Sequence, residues 1–544
     1  MVDSHVSTKY IYNLVNWGQV QPDLEISNVL INNKQCIQKR QTCGKYFSDN
    51  LSIKGLHRLI TRSLSRIIYH FEAIKLRNTI YADHLKTYDL NTAVAKIITL
   101  NSIVSDCDLL RFDTQDINKI KALNLDLIIN FGSGILRGEI LKTCRLGFIT
   151  LHYADNKINR RGPTGFWEVY YKQAQTGFVI RHITDELDTR NVLIRGAFPT
   201  QTFYLINQAQ IHVRSYFYMK KLLTEIARNR SMPKAEMPCP YFNKLLQHPN
   251  IMVQLTYVAR IIQNKLIFLV RYKLLKIRGR WGVAFSKTDW TELVMCRATK
   301  IENPHNHFLA DPFVLTEAGH DYCFVEDFDY RKARGCISVY ELKEEAAIRC
   351  GEAIIEPFHM SFPYLFRFGS KIYMVPETSQ NNDIRLYECL KLPNEWKLKK
   401  VIMSDLSAAD TMIFRHQGRW WLFTNIDHIG DGELSSELYI FYADDPVNDD
   451  WIPHLKNPVL IDPSKARNGG ILFSKEDVYR VAQYQGFNQY GKGYTIRKIV
   501  CLNEGEYSEQ EICKVEANFY KNLKGTHHLH SNGKISVFDY IEET

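Results

Sequence analysis

From residue 310 to residue 540 the sequence repeats one unit, and no other feature restricts the fold so strongly. Four segments align: ADPFVLTEAGHDYCFVE (310–326), SFPYLFRFGSKIYMVPE (361–377), AADTMIFRHQGRWWLFTN (408–425) and RNGGILFSKEDVYRVAQ (467–483). A poorer fifth copy is THHLHSNGKISVFDY (526–540). Each copy reads as an apolar strand, a tight turn and an aromatic strand. The first four continue into a third strand, ISVYEL, IRLYEC, LYIFYA and YTIRKI. The spacing is 51 residues from Asp311 to Phe362, 48 to Asp410, 58 to Asn468 and 59 to His527. Antiparallel units of this size bury their faces only against neighbouring copies, which predicts a five-bladed β-propeller. The last copy ends too near the end of this sequence to supply its own outer strands. RWGVAFSK and ELVMCRA, near residues 280–298, are expected to complete that blade and close the ring.

At 544 residues, 45% hydrophobic and 24% charged, the chain has globular composition and is too long for a single core. The texture divides it into an α/β domain over 1–235, a basic helical linker over 236–280 and the propeller over 281–544. Twelve cysteines without a CxxC pair indicate neither a disulfide framework nor a metal site, and favour a reducing compartment. No signal-peptide pattern and no run of eighteen uncharged apolar residues is present, so a soluble cytoplasmic protein is expected. The net charge of +10 is concentrated between Glu236 and Asp289. There Lys244, Arg260, Lys265, Arg271, Lys273, Lys276, Arg278, Arg280 and Lys287 stand with no acidic residue among them. No nucleic-acid motif accompanies the segment, and nucleic acid is not an expected partner. It reads either as an anionic-membrane contact through 244–287, peripheral to the inner face of a membrane, or as a solvated face whose cations meet acids elsewhere. Ile261, Ile262, Ile267, Phe268 and Leu269, interleaved with these cations, predict an amphipathic helix.

The first part alternates helix and strand. Apolar spacing predicts a helix over Leu56–Arg77, and strands are expected within LNLDLIINFGSG (123–134) and GFITLH (147–152), in a mainly parallel sheet. Between Phe131 and Gly196 the features FGSGILRGEIL, RLGFITLH, RRGP, TGFVI and DELDTRNVLIRG follow in order. This order resembles the folate-dependent formyltransferase family, which includes methionyl-tRNA and sugar N-formyltransferases. The resemblance implies a Rossmann-type α/β fold and 10-formyltetrahydrofolate as formyl donor, with no metal. His152 falls on the catalytic histidine and Asp188 on the catalytic aspartate, with Thr150 where the family has asparagine. Gly132, Gly134, Ile135, Leu136, Arg161 and Gly162 fall on the folate side, and Thr176-Gly177 on the family's Thr-Gly strand. Formyl transfer passes through a tetrahedral intermediate, which calls for an oxyanion donor and a proton acceptor, the roles an imidazole and a carboxylate would fill. The family's Leu-Leu-Pro loop is absent, and Arg190 replaces a glycine. FGSGILRG lacks GxGxxG, which argues against a dinucleotide site.

ADPFV and AADTMIF resemble inner strands of five-bladed glycoside hydrolases, where aspartates serve as base and pKa modulator and a fourth-blade glutamate as acid. On that resemblance Asp311 and Asp410 are carried over, while Asn468 stands where the acid should be and cannot donate a proton. Asp311, Asp410 and Asn468 are therefore expected to bind sugar rather than cut it. Glu377, at the end of a second strand, is expected away from the axis, and Tyr373, Trp420 and Trp421 in blade cores. SFPYLFRFGSKIYMVPET also looks like the propeller module found beside glycosyl-transfer enzymes of glycolipid synthesis. The expected function is formyl transfer to an amino group of an amino-sugar or nucleotide-sugar substrate in glycan synthesis. The alternatives are a non-catalytic glycan-binding scaffold and, behind it, a glycoside hydrolase.

Overall fold

Four-stranded antiparallel sheets recur from residue 307 onward, each built by the strand–turn–strand chemistry of the repeat. In the computed structural model the described residues are 1–36, 53–94, 96–105, 109–153, 162–183, 191–236, 243 and 245–543. The chain divides into two units, Met1–Lys265 and Leu266–Thr544.

In the second unit, blade one comprises His307–Glu317, His320–Asp329, Arg334–Leu342 and Ala347–Ile354. Blade two comprises Ser361–Phe368, Lys371–Glu377, Asp383–Lys391 and Glu395–Ser404. Blade three is built on Ser407–His416, Arg419–Asp427 and Glu437–Ala443. Blade four runs through Asn468–Ser474, Asp477–Gly486, Gln489–Leu502 and Tyr507–Glu516. Successive inner strands are neighbours, and that of blade four lies beside Leu529–Ser531 of blade five, which in turn meets blade one. The ring is closed, so this unit is a five-bladed propeller.

Closure is made by two ends of the unit. Gly279–Ser286 pairs antiparallel with Ser536–Glu543, from Gly279 opposite Glu543 to Ser286 opposite Ser536. The strand alternates as a buried strand must. Val283 and Phe285 join an apolar cluster with Leu309, Val314 and Val325 of blade one. Ala284, between them, joins Leu472, Val481 and Tyr494 of blade four. RWGVAFSK therefore completes the last blade as expected. ELVMCRA does not: it forms short 3₁₀ turns at 290–292 and 295–297, and the outermost strand is Thr299–Ile301.

Each inner strand of the first four blades carries the same bulge. Register shifts between Ala310 and Phe313, Ser361 and Tyr364, Ala409 and Met412, and Asn468 and Gly470. At the extra residue, Asp311, Phe362 and Asp410 adopt φ of 49°, 46° and 50°. A left-handed phenylalanine is costly, and its recurrence at one repeat position shows that ring packing over-determines the bulge. Tyr373, Trp420 and Trp421 are buried in the apolar cluster that runs through the blades, as the sequence predicts.

The first unit is mixed α/β rather than one mainly parallel Rossmann-type sheet. Its strands are β1 (Val6–Thr8), β2 (Asn28–Cys36), β3 (Thr87–Asp89), β4 (Lys96–Ser105), β5 (Leu109–Phe112), β6 (Ile128–Asn130), β7 (Ile135–Leu136), β8 (Phe148–His152), β9 (Gln175–Ile183) and β10 (Val192–Pro199). Two four-stranded sheets form, in the orders β2-β4-β5-β7 and β10-β9-β8-β6. The pairs β2/β4, β5/β7 and β6/β8 are parallel, whereas β4/β5, β8/β9 and β9/β10 are antiparallel. The step from Ser105 to Leu109 is too short for a crossover, which needs about a dozen residues, so β4 and β5 must pair antiparallel. Helices α1 (Lys9–Gln19), α2 (Ile53–Leu76), α3 (Thr114–Lys121), α4 (Phe166–Tyr170), α5 (Tyr204–Asn229) and α6 (Ile251–Phe268) complete the described elements drawn on below. α2 falls where apolar spacing predicts it. α5 is the most deeply embedded, with the fully buried Arg214 guanidinium 4.8 Å from the centre of the Phe198 ring.

Ring packing around the blade-four bulge leaves no room for a side chain, since a Cβ on Gly469 would lie 2.4 Å from the His527 carbonyl oxygen. Gly469→Ala should destabilise the propeller by about 2 kcal/mol. Calorimetry is expected to show its thermal midpoint lowered by ~4 °C or more.

Candidate functional site

The bulges and strand ends of the propeller meet around a pocket of about 370 Å³. Its polar lining comes from Asp311, Glu326, Glu377, Arg467 and His527, and its aromatic lining from Trp281, Phe308, Phe328 and Tyr490. Glu326 and Glu377 occupy one repeat position. Each lies on the second strand of its blade, opposite Ala310 and Ser361 beside the bulge. Both glutamates are among the lining residues, so Glu377 is not held away from the axis as its strand-end position suggested.

Asp410, expected to contact sugar, is 1% exposed and lies outside the lining. Its Oδ2 accepts from Arg467 Nε at 2.7 Å and from Gln483 Nε2 at 3.1 Å. The guanidinium it holds faces the pocket, 5.1 Å from the Tyr490 ring centre and 3.9 Å from Glu377 Oε2. Asn468 does hold the repeat position of the aspartates: past the bulge Gly470 stands opposite Val481 as Phe313 stands opposite Phe324, and the Gln483 N–H donates to the Arg467 carbonyl at 2.9 Å. Asn468 is fully buried and clamps two blades, donating to the Asp410 carbonyl at 2.9 Å while its backbone N–H donates to Asn425 Oδ1 at 3.0 Å. Of the three propeller residues expected to bind sugar, only Asp311 lines the pocket.

His527 is the electrostatic centre of the far wall. Its Nε2 lies 3.1 Å from Asp311 Oδ1 and its Nδ1 2.9 Å from Asp539 Oδ2. Burial disfavours its charge, yet the Asp539 and Asp311 carboxylates outweigh that effect and push its pKa up to about 10. Asp539, fully buried, also accepts from the backbone N–H groups of His527 and His528 at 2.9 and 3.1 Å. Burial, then the nearby Asp311 and Glu377, drives the Glu326 carboxyl well above its ordinary range. His359 Nε2 stands 3.6 Å from Glu326 Oε1, and burial holds this imidazole toward its neutral form. Asp311, His527 and Asp539 are the group of described residues whose ligand atoms, within 4.8 Å of one another, have metal-site spacing. With a ring nitrogen facing each carboxylate, the imidazolium already supplies positive charge there.

Glu326, Arg467, His527, Tyr490 and Trp281 escape the sequence reading. A signal exists for Glu326 and Glu377, because the first two repeats both end on glutamate. None singles out Trp281, which belongs to the closing strand.

The residues carried over from the formyltransferase resemblance, where described, are held by hydrogen bonds and turns of the sheets themselves. His152 ends β8 on the exposed side. The Thr150 hydroxyl donates at 2.9 Å to the Asn130 carbonyl of the adjacent strand. Thr176 is buried, sharing hydrogen bonds with Thr200 and Asn207 next to Gly177 in β9. Gly132 N–H donates to Asn130 Oδ1 at 3.1 Å, Gly134 takes φ of 100°, and Ile135 and Leu136 form β7. Gly162 takes φ of 111° against the Trp167 indole, while Arg161 and Asp188 lie outside the described residues.

The second unit is thus a five-bladed propeller with an acidic, aromatic-walled axial pocket. Residues 284–536, wholly within it, match the family model described as glucosamine inositolphosphorylceramide transferase 1, N-terminal. The chain is similar to the Arabidopsis thaliana protein of that name, 34% identical over 240 residues, which is 43% of this chain and 30% of the relative. It is 32% identical over 282 residues to the Oryza sativa subsp. japonica protein of the same name, covering 49% and 37%. The chain spans about a third of the length of these curated relatives. Among solved structures, it is similar to the Coprinopsis cinerea GH62 α-L-arabinofuranosidase catalytic domain (TM-score 0.35, 12% identity, 49% of this chain and 97% of that one). It is also similar to Zg3597, a family 117 glycoside hydrolase of Zobellia galactanivorans (TM-score 0.33, 13% identity, 48% and 90%). The relatives are named as glucosamine inositolphosphorylceramide transferases and not as formyltransferases. That overturns formyl transfer, the formyltransferase-like domain and 10-formyltetrahydrofolate as donor. The broader expectation of a transferase connected with sugar agrees with them.

Two outcomes test the electrostatics. The folded pKa of His527 is raised from its ordinary 6.5 to about 10, so its ion pairs stabilise fully below pH 6.5 and that contribution fades as pH rises through 10. His527→Gln should remove this component, giving a shallower fall of the thermal midpoint with pH between those limits than in the unsubstituted protein. Arg467→Met should cost about 3–5 kcal/mol in denaturant unfolding because it strands the buried Asp410 charge, and adding Asp410→Asn should recover part of the loss.

Proposed function

We propose that this chain takes part in transferring an amino sugar to an inositol-phosphate-bearing sphingolipid, with the axial pocket of the propeller receiving the amino sugar. The observation that carries this reading is the pocket's composition. Three lining carboxyls, Asp311, Glu326 and Glu377, outnumber the two lining cations. Each of those cations already has a buried partner behind it: Asp410 for Arg467 and Asp539 for His527. An ammonium group complements the remaining carboxylates. Burial and the neighbouring carboxylates drive Glu326 toward its protonated form, and an arriving ammonium would draw it back toward the carboxylate, as an opposite charge favours ionisation. Trp281, Phe308, Phe328 and Tyr490 supply flat apolar faces for the C–H side of a sugar ring, and the volume falls in the range of small-ligand pockets. The names of the relatives, which pair glucosamine with inositolphosphorylceramide, support the same substrate class.

The glycan-binding scaffold is the second reading, favoured by the ion pairs that already engage two of the lining carboxyls, Asp311 with His527 at 3.1 Å and Glu377 with Arg467 at 3.9 Å. Titration calorimetry of the full chain separates the possibilities. Glucosamine should bind more tightly than N-acetylglucosamine, and Glu377→Gln should weaken glucosamine about tenfold, or roughly 1.4 kcal/mol. Equal affinity for the two sugars, or indifference to Glu377→Gln, would remove the basis of the proposal. Glucosamine binding without transfer to inositolphosphorylceramide would select the scaffold, and release of free sugar from a glycoside would instead select hydrolysis.

A further inference from the structure

The first unit leaves two helices with apolar stripes turned to solvent, on the side opposite the residues that dock them. On α2, Ser65 Oγ accepts from Gln254 Nε2 of α6 at 2.9 Å. One helical repeat further, Glu72 accepts from the Leu205 N–H at 2.6 Å and from the Tyr257 hydroxyl of α6. Ser65, Glu72 and Leu76 thus form the docked side. Ile60, Ile67, Phe71 and Ile74, spaced i, i+7, i+11 and i+14, share the opposite face and are all exposed, Phe71 to 66%. On α6, Gln254 and Tyr257 are buried against α2 and α5, while Met252, Leu255 and Ile262 (i, i+3, i+10) stand exposed on the other side. Aligned apolar side chains of this number on a free surface mark an interaction face.

Charge identifies what covers it. Exposed Arg62, Arg66, Lys75 and Arg77 flank the α2 stripe and Lys265 follows that of α6. Within α2 and on to Tyr81 the one acid is Glu72, which is buried, and α6 has none. We propose that the outer face of α2 lies on an anionic lipid bilayer, its apolar stripe entering the headgroup–acyl boundary and its cations meeting lipid phosphates, while the α6 stripe, on the side of that helix turned away from α2, takes no part. No helix among the described residues is long and apolar enough to cross a membrane, so the contact is along the surface. Several cations of the basic segment are engaged elsewhere. Arg260 is engaged by the Tyr170 carbonyl, Arg271 pairs with Glu543, Arg280 donates to the His307 carbonyl at 2.9 Å and Lys287 to Asp321 at 2.7 Å. Lys244 lies outside the described residues. The inference is independent of what the propeller pocket binds.

Co-sedimentation of the full chain with phosphatidylcholine vesicles, with and without phosphatidylserine, tests this. Binding should require phosphatidylserine and weaken as salt rises from low to physiological strength. Ile67→Ser with Phe71→Ser should lower the vesicle partition coefficient roughly tenfold or more, whereas Leu255→Ser with Ile262→Ser, on the side of α6 turned away from α2, should leave it unchanged. Arg62→Gln with Arg66→Gln should shrink the difference between the two vesicle types. These side chains are exposed, so circular dichroism and the thermal midpoint should stay unchanged and report intact folding. Binding that ignores phosphatidylserine, or that survives Ile67→Ser with Phe71→Ser, overturns the proposal. So does a dimer in sedimentation velocity that the same substitutions split, because a second copy would then be the occupant.

Discussion

The backbone ladder between Gly279–Ser286 and Ser536–Glu543 holds the propeller together, because it converts five sheets in a row into a ring with no free inner edge. Two of the propeller's apolar clusters include it. Val283 and Phe285 seal the closing blade against blade one, and Ala284 seals it against blade four. The axial pocket depends on it too, since Trp281 comes from this strand while the other lining groups come from the blades it brings together. An open ring would leave Asp311 and His527, on either side of the seam, without each other.

Closure sets the electrostatic terms of the site. Gathering Asp311, Glu326, Glu377, Asp410 and Asp539 near one axis costs desolvation and mutual repulsion, and a buried carboxylate persists only when paired or protonated. The chain uses both solutions. Arg467 answers Asp410, His527 bridges Asp311 and Asp539 as a buried cation, and Glu326 is driven toward its protonated form. The pocket is therefore preorganised around charge that its own framework only partly neutralises, and the proposal of a cationic sugar rests on that.

The formyltransferase resemblance illustrates how an ordered set of short motifs can mislead. Gly-rich turns, a Thr-Gly strand and a strand-end histidine are what a mixed α/β sheet needs for its own hydrogen bonds. Thr150 is engaged with Asn130, and Thr176 with Thr200 and Asn207, within the described sheet itself. Five weak signals count as one strong signal only if a common site draws them together, and among the described residues they serve separate structural ends.

The sequence by itself determined the propeller, because five copies of an apolar strand, turn and aromatic strand have no other way to bury both faces. It also determined α2, whose apolar spacing survives any context, and the blade-core placement of Tyr373, Trp420 and Trp421. The site was legible only at Asp311. Asp410 and Asn468 carry polar side chains at the repeat position of Asp311, but whether such a side chain lines the pocket or is buried between blades depends on what the neighbouring blade sets over it, and that is not written in a local pattern. Arg467 covers Asp410, and Asn468 is clamped between Asp410 and Asn425. Glu326 and Glu377 became axial because the strand partner of the bulge lies beside it. Trp281 and His527 met only when strands more than two hundred residues apart paired. Local composition selects strands and turns, whereas the direction of a side chain in a closed ring follows from pairing at long range, and that pairing only the tertiary structure decided.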